Sequence, residues 1–191
     1  MMSFETSWAR FHHGQRPVGW MLREDGAANW VRFHSLPQSK RYAATDEERS
    51  IILTRQNSLA MEVLGDETCW LIQTQWVSPP GETDVADQYD PFRATRELGL
   101  EMAFEFLVDD GEESRPWRTY AGHTAWLPGR FDDLLLSIAD EKAGPTIWMG
   151  SNGALFAPYD GGVDLFLSEL SEVNRLKQQH ADWLSDHPLG L

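Results

Sequence analysis

A single cysteine, Cys69, stands in the 191-residue chain, so no disulfide can form within it. Its neighbours Trp70, Leu71 and Ile72 are apolar, and the thiol is expected to act as a small core side chain. A reactive thiol would need a histidine or another cation nearby, and none is close in sequence. No apolar run approaches the ~20 residues of a membrane-spanning helix. The first ten residues lack a basic stretch followed by an apolar one, which argues against secretion. Together these features lead to the expectation of a cytoplasmic protein with no membrane contact.

Basic residues are also scarce. Sixteen Lys and Arg face 30 Asp and Glu, giving a formal charge of -14. That balance disfavours binding to nucleic acid. The recurrent signatures of nucleotide binding, serine hydrolysis and zinc proteolysis are missing: no Gly-x-Gly-x-x-Gly, no Walker loop, no Gly-x-Ser-x-Gly, no His-Glu-x-x-His. No cofactor is expected. His12 and His13 are adjacent and would point to opposite sides of a strand, so they do not make a metal site. The acids of 82–113 lack the ordered spacing of a calcium loop.

What is present is a globular composition rich in aromatics. Hydrophobic residues make up 41%, enough for a substantial core, and nine are Trp. The patterning predicts a single α+β domain over 1–191, with a mixed, largely antiparallel sheet and about three helices packed on one side. Thr45 and Glu48 form a capping box ahead of an apolar helical period, and Gly65 is a plausible stop, so 46–64 reads as a helix. Two further helices are expected, from Phe131 and from a cap at Ser168 to a stop at His187-Pro188. The segments 68–77, 102–108 and 117–127 read as strands, and 146–149 with 154–157 as a hairpin across Ser151-Asn152-Gly153. Residues 17–34 read as two strands around Asp25-Gly26, the second with Trp30, Arg32 and His34 on one face. Residues 78–100 read as a long connection with a helical turn at 91–98, and 109–114 as a turn.

Two stretches carry a resemblance. Arg32-Phe33-His34-Ser35-Leu36-Pro37 with Ser39-Lys40-Arg41-Tyr42-Ala43 is the first. Tyr159-Asp160-Gly161-Gly162 with Trp183-Leu184-Ser185 and His187-Pro188 is the second. Both resemble motifs of a family of small bacterial proteins with no established activity. The resemblance implies a bacterial, single-domain, cytoplasmic protein, and it supplies neither catalytic residues nor a cofactor.

The segment 32–42 is the candidate site. Arg32, His34, Ser35, Ser39, Lys40 and Arg41 bring three fixed positive charges, one imidazole and two hydroxyls together with no acid between them. Guanidinium forks and hydroxyls suit a phosphate or carboxylate. The competing reading is that these cations pair with the chain's own acids. Asp160, in a turn expected to need positive φ at Gly161 or Gly162, could face the cluster as a site acid.

Charge distribution suggests a different role. Residues 79–114 hold 11 acids and 2 bases, while 1–78 hold 9 and 8. The first expectation is therefore a non-enzymatic, acidic protein-binding module whose partner is a basic protein. The alternative is an enzyme or small-ligand binder for a phosphorylated or carboxylate compound, with His34 as the general acid or base. The two differ in geometry: the alternative needs a concave pocket on which Arg32, His34 and Arg41 converge.

Overall fold

The computed structural model describes residues 2–77, 90–109 and 114–185. The expected turn at 109–114, the first part of the expected connection 78–100 and His187-Pro188 fall largely or wholly outside those residues.

Among the described residues seven strands form one sheet: β1 (Trp30–His34), β2 (Thr68–Trp76), β3 (Glu101–Asp109), β4 (Ser114–Ala125), β5 (Thr146–Met149), β6 (Leu155–Tyr159) and β7 (Gly162–Phe166). Their spatial order is β1-β7-β6-β5-β2-β4-β3, and every described pairing is antiparallel. The fold is α+β, as the patterning predicts. Short turns join β5 to β6 and β6 to β7. β3 pairs with β4, the next strand in the chain, and sequence-distant pairings, β1 with β7 above all, close the rest.

Among the described residues six α-helices accompany the sheet: α1 (Phe4–His12), α2 (Gly19–Glu24), α3 (Asp46–Leu64), α4 (Arg93–Glu97), α5 (Asp132–Ala139) and α6 (Leu170–Gln179). Both faces are covered, not one. α3, α5 and α6 pack Leu59, Leu135 and Leu176 against Val31, Phe33, Leu71, Trp148, Phe156 and Leu165. On the opposite face α1 and α2 place Phe4, Trp8 and Leu22 against Ile72, Ile147, Leu155 and Phe166. The strict alternation of β5–β7 lets one short run feed two cores, because successive side chains leave opposite sides of the sheet. Trp126, Phe131, Trp148 and Phe156 form the aromatic centre of the first core at ring separations of 5.2–5.8 Å, mostly edge-to-face.

Local signals place α3 well. Thr45 accepts from the Glu48 amide at 3.3 Å, Glu48 reaches back to the Ala44 amide at 2.6 Å, and Gly65 ends the helix at φ 64°. Gly153 turns the β5–β6 hairpin at φ 85°. The expected hairpin over 17–34 is corrected at its first half. Residues 19–24 are helical, because Val18, Met21 and Leu22 are spaced one helical turn apart and all three are fully buried. Gly26, at φ 75°, follows the helix end at Asp25 instead of joining two strands. His12 and His13 likewise lie at the end of a helix, not in a strand. The last helix begins later and ends sooner than expected. Its N-cap is Glu169, the Ser168 hydroxyl donates to the Asn152 carbonyl instead, and α6 stops at Gln179 before a 3-10 turn at Ala181–Trp183.

Cys69 is buried, and burial pushes its thiol up to about 11, which fits the expected core role. No helix among the described residues is long and apolar enough to cross a membrane.

Candidate functional site

The second half of the 17–34 segment behaves as its alternation predicts. β1 turns Val31 and Phe33 into the core and sets Trp30, Arg32 and His34 on the α2 side of the sheet. α2 lies over the same side, close enough that a side chain at Gly19 would meet the Ala157 methyl at 3.2 Å. Between α2, the sheet and the connection after β1 opens a cleft of about 660 Å³. That is within the usual range for small-molecule sites. Arg32, His34, Ser39, Arg41 and Asp160 all line it. Ser35 and Lys40 do not. Ser35 is buried and accepts from Gln56 Nε2 at 2.9 Å, and Lys40 holds both oxygens of Glu48 at 2.5 and 2.6 Å.

The arginines are held differently. Arg32 sits opposite Asp164 in the β1–β7 ladder and grips it through two hydrogen bonds, Nε to Oδ1 at 2.8 Å and Nη2 to Oδ2 at 2.9 Å. Both side chains are nearly enclosed, at 12% and 5% exposure. The guanidinium also lies 4.6 Å from the centre of the Tyr159 ring and 5.6 Å from that of Trp30. Burial works to lower the Arg32 pKa, yet the bonds and charge of Asp164 hold it above its ordinary value. Burial pushes the Tyr159 hydroxyl far up despite the adjacent Arg32, so the phenol stays neutral.

Arg41 is at the rim. Its Nε donates to Asp160 and its Nη2 to Glu141 at 3.1 Å, while the Tyr42 hydroxyl donates to the other Glu141 oxygen at 2.9 Å. The bond to Asp160 raises the Arg41 pKa. The side chains of Arg41 and Glu141 are 58% and 56% exposed. The internal pairing considered from the sequence therefore exists for all three cations of 32–42, but its depth differs: both partners are enclosed at Arg32–Asp164, whereas Arg41 and Lys40 are themselves exposed, although Asp160, one of the acids on Arg41, is only 13% exposed.

Sequence reading missed the α2 contribution. Trp20 and Arg23, three residues apart on one helical face, both line the cleft. Among the described residues no carboxylate lies within ion-pair distance of Arg23. Their helical spacing was the available signal, and it was masked by reading 17–24 as a strand. Trp76, at the end of β2, lines the cleft as well.

The turn at Asp160-Gly161-Gly162 needs its glycines for a different reason from the one expected. Neither has a positive φ. A Cβ at Gly162 would lie 2.2 Å from the Phe33 carbonyl oxygen, so close strand approach excludes a side chain there. Positive φ occurs instead at four non-glycine residues among those described: Asn29, Gln38, Ser39 and Glu141. Ser39 and Glu141 line the cleft, so locally strained backbone is concentrated at its rim. Among the described residues no group of three or more His, Cys, Asp or Glu is arranged to hold a metal ion.

No curated protein and no solved structure matches the chain. A family model does match over residues 18–188, a range that takes in every residue lining the cleft. The chain belongs to the family described as a domain of unknown function, DUF3885.

Proposed function

We propose that the chain binds a small organic anion, a carboxylate or a phosphate ester, in the cleft between α2 and the sheet. The observation that carries this reading is the convergence of Arg23, Arg32, Arg41 and His34 on one concavity of small-molecule size. A guanidinium offers a planar fork of donors that fits either anion. The exposed indoles of Trp20 and Trp76 add flat apolar wall. The reading is of a binder, because the converging guanidiniums supply anion recognition. A cytoplasmic location suits a chain whose one thiol is buried.

The other expectation, a basic protein partner, draws on the acids of 79–114. More than half of those acids lie outside the described residues, and the concave cleft favours the small-ligand reading instead.

A ligand that binds only the folded state raises its stability with ligand concentration. Thermal unfolding with benzoate and with glycerol 3-phosphate, at matched ionic strength, tests the reading. The expected result is a melting temperature that rises with at least one of them and loses that rise in Arg41→Gln. Flat melting temperatures with both, or a rise that survives in both Arg41→Gln and Arg23→Gln, would overturn it.

A further inference from the structure

Resting on the anion reading, we infer that the ligand is an aromatic phosphomonoester, whose dianionic phosphate is taken by Arg23 and Arg41 and whose flat ring lies against Trp20. The distinction between the three arginines leads there. Arg32 cannot be recruited: turning its fork toward a ligand would leave the Asp164 carboxylate, 5% exposed, buried and unpaired. It forms a fixed floor. Arg23 has no carboxylate to leave among the described residues. Arg41 can keep its Nε on Asp160, which is only 13% exposed, and turn its terminal nitrogens, held by the exposed Glu141, to a ligand at little cost. Two guanidiniums thus have donors to lend, one on α2 and one on the connection after β1.

Two available cations match a group carrying two negative charges and several acceptor oxygens. A phosphomonoester at neutral pH carries about -1.5 to -2, whereas a carboxylate or a sulfate ester carries a single charge. The carboxylates already at the rim, Asp160 and Glu141, repel any anion in proportion to its charge, so a dianion gains over a monoanion only by engaging the donors of both Arg23 and Arg41. The remaining wall decides what the phosphate is attached to. Trp20 is 43% exposed and Trp76 44%, and both open into the cleft. A bare sugar phosphate or glycerol phosphate would leave that surface in water. An aromatic ring would cover it by stacking. A nucleoside monophosphate has both parts and fits a volume of about 660 Å³.

Calorimetric titration of the full chain with four probes tests this. Phenyl phosphate is expected to bind at least roughly tenfold tighter than phenyl sulfate, which keeps the ring and the tetrahedral shape but loses one charge. It is also expected to bind roughly tenfold tighter than glycerol 3-phosphate, which keeps the phosphate and loses the ring. Benzoate is expected to be weaker than phenyl phosphate. Trp20→Ala should erase the preference for phenyl phosphate over glycerol 3-phosphate. Arg23→Gln and Arg41→Gln should each erase the preference over phenyl sulfate. Glu141→Gln, which removes a carboxylate competing for Arg41, should tighten phenyl phosphate, a result that no folding defect produces. Equal affinities for phenyl phosphate and phenyl sulfate, or for phenyl phosphate and glycerol 3-phosphate, overturn the inference and leave the anion reading intact. No heat and no thermal stabilisation with any of the four removes both.

Discussion

Replacing Arg32 by Met should be among the most destabilising substitutions on the α2 side of the sheet. It leaves the Asp164 carboxylate, only 5% exposed, without the two hydrogen bonds that hold it. Removing one member of a buried pair costs about 3–5 kcal/mol. The 12% exposure of Arg32 admits some water, which places the expected loss near the lower end, about 3 kcal/mol. For a chain of this length that corresponds to a fall of roughly 6–12 °C in melting temperature. The opposite change, Asp164→Leu, should cost less, because the stranded guanidinium still lies over the Tyr159 ring and keeps a long, flexible stem. The double variant Arg32→Met/Asp164→Leu removes both charges together and should return to within about 1 kcal/mol of the parent, since a buried pair often does no better than apolar residues of similar volume. Urea unfolding of the four proteins measures the cycle, provided the slope of free energy against urea is unchanged. A loss below about 1 kcal/mol in Arg32→Met, or a double variant in which the single costs simply add, would refute the picture of a closed, coupled clamp.

Two further outcomes follow from the same face. Gly162→Ala forces a methyl to within 2.2 Å of the Phe33 carbonyl oxygen, a backbone atom, and should cost about 1–3 kcal/mol; Gly161→Ala, whose nearest neighbour is a Tyr159 ring carbon at 3.0 Å, should cost clearly less in the same denaturation assay, and equal costs would contradict the close-approach account. His12 donates from Nε2 to the Gly153 carbonyl at 2.8 Å, and burial lowers its pKa below the ordinary 6.5. The unfolded chain then binds the proton more readily, so stability falls as pH drops from about 6.5 through the lowered native value. His123 is lowered by burial too and contributes in the same direction, so His12→Gln should flatten the fall in urea midpoint between about pH 7.5 and about pH 5 without abolishing it; an unchanged slope would contradict the account.

How much of this was legible in the chain depends on the distance over which each feature closes. α3 was legible because Thr45, Glu48 and Gly65 state its ends within its own residues. The β5–β6 hairpin was legible because its turn residues are contiguous. Along β1 the side assignment held, since alternation needs no partner. α2 was not legible: Val18, Trp20 and Met21 suit a strand as well as a helix, and only burial on both sides of the segment decides between them. The partner of Arg32 was out of reach for a different reason. Asp164 lies 132 residues away and becomes its neighbour only when β7 pairs with β1 in one particular register. The same holds for Arg41, whose partners come from the β6–β7 turn and from the residues after α5.

That closure also bears on what the 32–42 motif is for. If its cations served only to neutralise internal acids, the three should be enclosed alike, and they are not. Lys40 is used locally, on Glu48 at the start of α3, whose carboxylate also caps the Ala44 amide. Arg32 is sealed against Asp164 and fixes the β1–β7 register from the cleft side. Arg41 remains at the mouth, itself 58% exposed, between the exposed Glu141 and the more enclosed Asp160, beside Ser39, whose backbone is held at φ 55°. A loop that needs only a salt bridge has no physical reason to keep two consecutive non-glycine residues, Gln38 and Ser39, in the left-handed region. The strain is explained if the loop must present Arg41 to the cleft at a set angle, opposite an α2 whose Arg23 faces the same space. On that view a single motif divides its positive charges between building the sheet and equipping the site.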